Sequence, residues 1–187
     1  IIANPDDEPR AIYISAFDSS PLAPDYDLIV HGQGDAFQAG LDALAKLTSG
    51  KVHLNVDNSG GTSKVFTNSK NVELNYFSGP HPAGNVGTQI ALTNPINKGD
   101  IVWYLRPDQV LTIGRLFLEG KYNAERVVAV TGSEVIRPQY FRVYTGANIS
   151  SLIDNNINKE GKLRFISGNV LTGTRIEKDG YLGFYDA

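Results

Sequence analysis

Cysteine and methionine are both missing from the 187 residues. Without a thiol the chain can hold no disulfide, no cysteine nucleophile, no Cys-ligated zinc and no Cys-held iron–sulfur cluster. Histidine is scarce. His31, His53 and His81 lie far apart, and neither H-E-x-x-H nor any paired carboxylate–histidine spacing is present for a metal. No apolar run approaches the roughly 18–20 residues a spanning helix needs, and residues 1–10 are acidic and proline-containing, unlike a signal peptide. Positive charge is not in excess either. A net charge of −3 and a pI of 5.6 give no electrostatic basis for binding nucleic acid or anionic lipid. A G-x-S-x-G elbow and a G-x-x-x-x-G-K-[ST] loop are absent. His31-Gly32-Gln33-Gly34-Asp35 only loosely resembles a phosphate loop. Phe37 breaks the G-x-G-x-x-G spacing, and Asp35 would repel a phosphate at a helix N-terminus.

What is there is an ordinary globular composition, 41% apolar and 20% charged, in a chain long enough to bury a core without staples. The most unusual stretch is SGPHPAGNVGTQI, residues 78–90. It gathers three glycines, two prolines and His81. Proline limits φ and glycine permits close backbone approach, so a rigid, shaped loop without helix or strand is expected. Two readings of it stand side by side. In the structural one, glycine and proline change the chain's direction and His81 bonds a carbonyl group. In the functional one, His81 presents a donor to a carbonyl oxygen such as a quinone's, and Gly84 and Gly87 let a flat ring approach.

Periodicity gives the elements around it. Residues 11–17 suit a strand, 28–30 a second short one, and 34–48 a helix with Phe37, Leu41, Leu44 and Thr48 on one stripe and Gly50 ending it. Val52, Leu54 and Val56 alternate in a strand over 51–56, which places His53 on the other face as a surface or satisfied residue. Thr62 caps a short helix reaching about Asn68, and 72–77 is the next strand. This β-α-β-α-β rhythm predicts a parallel sheet, with the 78–90 loop at the C-terminal ends of its strands, where ligands bind in open α/β sheets. A strand over 101–105 and a helix over 108–119 ended by Gly120 follow. The rhythm then changes to strands at 126–130 and 140–144, extended residues 135–137, a short helix at 149–154 and an extended run at 165–170. That pattern fits a small β-grasp module, and the domains are placed at 1–124 and 125–187. Asp18-Ser19-Ser20 reads as turn chemistry. The start at Ile1, and the strand-like beginning at residues 181–185, suggest a trimmed piece of a longer protein.

Five stretches carry a resemblance. They are residues 14–23 (ISAFDSSPLA), 81–88 (HPAGNVGT), 113–117 (IGRLF), 126–132 (RVVAVTG) and 166–173 (ISGNVLTG). In this order they resemble the NqrA family, a subunit family of the sodium-translocating NADH:quinone oxidoreductase, across nearly the whole chain. The resemblance implies a Rossmann-like α/β domain with a mostly parallel sheet, similar to that of the flavin-binding subunit of respiratory complex I. A small soluble-ligand-binding β-grasp (SLBB-like) domain follows it. It implies a peripheral subunit on the cytoplasmic side of a bacterial inner membrane, in a complex that oxidises NADH, reduces ubiquinone or menaquinone and exports Na⁺. NADH, flavins, iron–sulfur cluster and quinone would be handled by other subunits, with no cofactor in this piece, no catalytic residue and no metal. His81, Gly84, Gly87 and Thr88 would form a quinone-facing or partner surface. Many family members carry further histidines where this chain has Gln89-Ile90-Ala91. The alternative is a β-grasp module that binds a small ligand outside any redox complex.

Overall fold

The computed structural model describes residues 3–158 and 163–184. The chain divides into two compact units. The first holds the described residues up to Ser19 together with Asp25–Asn123. The second holds Ser20–Pro24 and the described residues from Ala124 onward.

The first unit is built on four parallel strands, β1 (Ala11–Ser15), β2 (Lys51–Asp57), β3 (Glu73–Phe77) and β4 (Val102–Leu105), in the order β3-β2-β1-β4. Parallel neighbours need crossovers. These are supplied by α1 (Tyr26–Val30), α2 (Gly34–Leu44), α3 (Lys64–Thr67) and α4 (Val86–Thr93), with α5 (Pro107–Glu119) following β4. Side chains alternate across a sheet. On one face Ile12, Ile14, Val52, Leu54 and Val56 are buried, together with Phe37 and Leu41 of α2 and Val110 and Leu111 of α5. On the other, Ala11 and Tyr13 pack with Ile90 of α4. Helices α2 and α5 meet through glycine. A Cβ on Gly114 would lie 1.7 Å from the Ala36 carbonyl oxygen, and one on Gly40 2.3 Å from that of Val110.

Several local expectations need correction. Residues 28–30 are helical, because Asp25 caps α1 by accepting from the amides of Asp27 and Leu28 at 2.9 and 3.3 Å. Helix α2 stops at Leu44. Thr48 leaves the stripe and donates to the Pro9 carbonyl at 2.6 Å, and Gly50 allows the Arg10 carbonyl to come where a Cβ would stand. Ser63, not Thr62, caps α3. Most important, the expected loop 78–90 contains the start of a helix. From Asn85 onward the spacing of Val86, Gln89, Ile90 and Thr93 is helical, and Gln89 and Ile90 are buried. Of the two alternatives for His53, a surface or a satisfied residue, the structure shows the second: it is buried, stacked on Tyr13 and within hydrogen-bond distance of Asn75. A parallel sheet is covered on both faces, so the second face of β2 also goes inside.

The second unit has two antiparallel pairs: β5 (Glu125–Val130) with β6 (Gln139–Tyr144), and β7 (Phe165–Ser167) with β8 (Thr174–Ile176). Between them lies α6 (Ser150–Ile153), with the Asn148 side chain accepting from the Ser150 amide at 2.9 Å. Val135 pairs with Ile157, and Asn148 with Tyr181, through single bridges. The expected strand over 181–185 is reduced to that one bridge over its described part, and residue 185 lies outside the described residues. Ile149, Ile153 and Ile157 form the core, joined by half-buried Val130, Phe165 and Ile176. Strand and helix content thus matches a parallel α/β unit followed by a small β-grasp unit.

Candidate functional site

Strand β3 ends at Phe77, and residues 78–85 carry the chain to α4. Two tight turns shape this segment: the Ala83 amide donates to the Pro80 carbonyl at 2.9 Å and the Asn85 amide to the Pro82 carbonyl at 2.8 Å. Gly79 sits at φ 129, open to glycine alone, and the His81–Pro82 peptide is cis. His81, Pro82, Asn85 and Gly87 are exposed, while Gly84 and Thr88 are half-buried.

The segment is fastened from a distance. Ser19, just past β1, places its Oγ 2.8 Å from the Gly84 amide, which donates to it, and 3.2 Å from His81 Nδ1. A hydroxyl that accepts from Gly84 is free to donate to Nδ1. A neutral imidazole accepting there carries its proton on Nε2, as a donor. Gly84 is needed for this contact, since a Cβ would lie 2.2 Å from the Ser19 amide nitrogen. Gly87 differs. Nothing lies within 4 Å of where its Cβ would be, so its small size leaves open space at the start of α4. The structure therefore separates two glycines that the sequence groups together. Gly84 fits against Ser19, and Gly87 faces an open side. Ser19 does more than turn its own backbone, because its partners are 62 and 65 residues away.

Behind the segment is a polar network that no linear motif marks. Gln89, fully buried, donates to the Ala83 carbonyl at 3.4 Å and accepts from Asn55 Nδ2 at 2.9 Å. Asn75 Nδ2 reaches Asn55 Oδ1 at 3.0 Å and His53 Nδ1 at 3.4 Å. The His53 ring lies flat on Tyr13, with centroids 4.5 Å apart and planes 8° apart. Burial pushes the His53 imidazole below its ordinary value. Glu73, 3.9 Å away, pulls it back up, and Lys51 adds to the lowering. Glu73 is itself held below its usual range, first by the hydrogen bond from Lys51 at 2.5 Å. The signal available in the sequence was the pairing of polar residues at 53, 55 and 75 with a parallel sheet, whose two faces are both covered.

The other candidate stretches carry less. Gln33, in the loosely phosphate-loop-like segment, donates to the Ile29 carbonyl at 2.7 Å and accepts from the Arg115 guanidinium, so its polar groups serve the fold. Among the described residues no group of three His, Cys, Asp or Glu could hold a metal. No helix among them is long and apolar enough to cross a membrane.

The chain matches the family model for the NqrA second alpha/beta domain over residues 1–122 and the model for the NQRA C-terminal domain over 127–178. The NqrA protein of the Na(+)-translocating NADH-quinone reductase of Yersinia pseudotuberculosis serotype O:1b is 42% identical over 180 residues, covering 96% of this chain and 40% of that protein. Its counterpart in Vibrio atlanticus is 41% identical over 181 residues, with the same coverage of 96% and 40%. The chain thus spans about 40% of the length of these relatives. Among solved structures, NAD+-reducing [NiFe]-hydrogenase aligns with TM-scores of 0.60 in its air-oxidized state and 0.63 in its H2-reduced state. At 10% and 11% identity, over 97% of this chain and 39% and 40% of those, this likeness shows the fold alone. With both family models matched in order across two units of the expected architecture, the chain belongs to the NqrA family of Na(+)-translocating NADH-quinone reductase subunits.

Proposed function

We propose that this chain works as part of a peripheral subunit of a sodium-pumping NADH:quinone reductase, on the cytoplasmic side of a bacterial inner membrane. There it contributes to assembly and offers a quinone-facing or partner surface rather than a catalytic centre. The observation that carries the reading is 42% identity over 96% of the chain to a subunit of such a reductase. In this reading other subunits hold the flavins and the iron–sulfur cluster and handle NADH, and this piece binds none of them. The surface is the exposed run of His81, Pro82, Asn85 and Gly87. It lies at the C-terminal end of a parallel sheet, hydrogen-bonded from behind to Ser19 and Gln89. Such a hydrogen-bonded, exposed loop costs little further ordering entropy when a partner docks.

The test is to purify the full-length protein that carries this sequence, tagged, from its native membranes. Co-purification with Na⁺-stimulated NADH:quinone reductase activity is expected. Elution free of that activity, with the reductase assembled elsewhere in the same membranes, would contradict the assignment.

A further inference from the structure

The second unit holds an open cavity of about 510 Å³. Stretches distant in sequence form its walls, among them Pro21 and Leu22, the end of β5 with the turn after it, α6, and Ile166–Val170. Three of the five stretches singled out in the sequence analysis therefore meet here. The volume lies in the range that drug-sized ligands occupy, roughly 300–1,000 Å³. Part of its lining is aliphatic, with Ile149, Ile153 and Ile157 among the residues there, and among the described residues Phe165 is the only aromatic one in the lining. Polar groups, among them Thr131, Ser133 and Asn169, share the lining with these aliphatic side chains, so the cavity suits a molecule with an apolar body and a polar end.

The walls are held in place without a ligand. Asn169 Oδ1 accepts from the amides of Leu171 and Thr172, at 2.9 Å each. Gly173 closes that turn where a Cβ would lie 2.5 Å from the Asn169 carbonyl oxygen and 2.6 Å from Ile166 Cγ2. Buried Ser167 accepts from the Gly183 amide at 2.9 Å. The mouth has the opposite character. Leu22 and Val170 line the cavity yet remain 59% and 49% exposed. Leu22 also sits at φ 60, a conformation unfavourable for any residue with a bulky side chain and one that clusters at ligand clamps. Among the described residues, Arg164 is the one basic side chain in the lining and Glu134 the one acidic side chain.

We propose that this cavity binds a medium-chain aliphatic carboxylate, its chain among Ile149, Ile153 and Ile157, its head at Arg164, with Leu22 and Val170 covered on entry. The branched aliphatic walls suit a flexible chain and lack the facing rings that would stack a flat one. The guanidinium fork suits a carboxylate.

Decanoate is the probe, titrated into the 187-residue chain by calorimetry and by isotope-labelled isoleucine methyl resonances. One-to-one saturable binding is expected, with methyl shifts at Ile149, Ile153 and Ile157 and none at Ile12 and Ile14. Val170→Trp, at the exposed mouth, should abolish binding. Arg164→Gln should weaken decanoate at least fivefold and leave decanol unchanged, and Glu134→Gln should tighten decanoate. No saturable binding to the folded chain, or methyl shifts outside the second unit, would overturn the cavity assignment. The methyl readout needs no variant, so a misfolded Val170→Trp would not rescue the proposal. Equal loss of decanoate and decanol in Arg164→Gln would overturn the carboxylate assignment.

Discussion

The two units solve the same problem differently. In the first, Ile12, Tyr13, Ile14, Phe37, Leu41, Leu54 and Val110 are wholly buried, and two helices approach so closely that glycine is required on both. In the second, the best-buried core isoleucines keep 5–7% of their surface exposed and look onto a cavity of about 510 Å³. Apolar burial scales with area, and a void forfeits the contacts its lining would have made. The first unit is therefore a scaffold that holds a surface loop in one shape. The second keeps space inside itself.

Core truncations should show the largest contrast. Leu41→Ala is expected to cost about 4 kcal/mol, because the close packing around it cannot collapse. Ile153→Ala should cost about 2 kcal/mol, since it enlarges a space already present. Urea denaturation of both variants checks this, and equal losses would remove the contrast. Gly114→Ala should cost about 3 kcal/mol or abolish folding, because the obstructing atom is a backbone oxygen that only helix separation can move.

Within the first unit, the two loop glycines should respond in opposite ways to a methyl group. Gly84→Ala should destabilise by about 2 kcal/mol, by pushing the segment off Ser19. Gly87→Ala, with open space in a helix, should stabilise by about 0.5 kcal/mol. Melting curves of the two variants should shift in opposite directions.

A smaller effect is expected with pH. The folded His53 titrates below its ordinary value of about 6.5 because burial disfavours the cation. The unfolded chain then binds the extra proton first, so stability is full above that pH and declines as the pH falls below it. The decline should level off once the folded imidazole titrates too. The depressed Glu73 carboxyl adds a second loss below the ordinary carboxylate range. His53→Gln should remove the upper part of the profile and keep the lower.

Much of this fold was legible because the hydrophobic periods were clean. Alternating Val52, Leu54 and Val56 marked a strand, and the 3–4 spacing of Phe37, Leu41 and Leu44 marked a helix. Helix α4 was hidden because two prolines and three glycines just ahead of Gln89 outweighed a short helical repeat that tertiary burial then rewards. Strand-like Leu28–Val30 became a helix through one capping carboxylate. The candidate site was legible as a segment but not in its mechanics. Ser19 acts across 65 residues, and Gln89, Asn55 and Asn75 meet only when the strands lie side by side. Linear spacing holds no record of such contacts.

In the reading proposed above, residues 78–88 present a working surface at His81, Pro82, Asn85 and Gly87 and do more than hold the fold together. His81→Ala tests it, read by melting of this chain and by quinone reductase turnover of the assembled complex that carries the same change. A stability change within about 1 kcal/mol is expected, since the side chain is exposed, together with reduced turnover or impaired assembly. A large drop in melting temperature with normal turnover per assembled complex would contradict it.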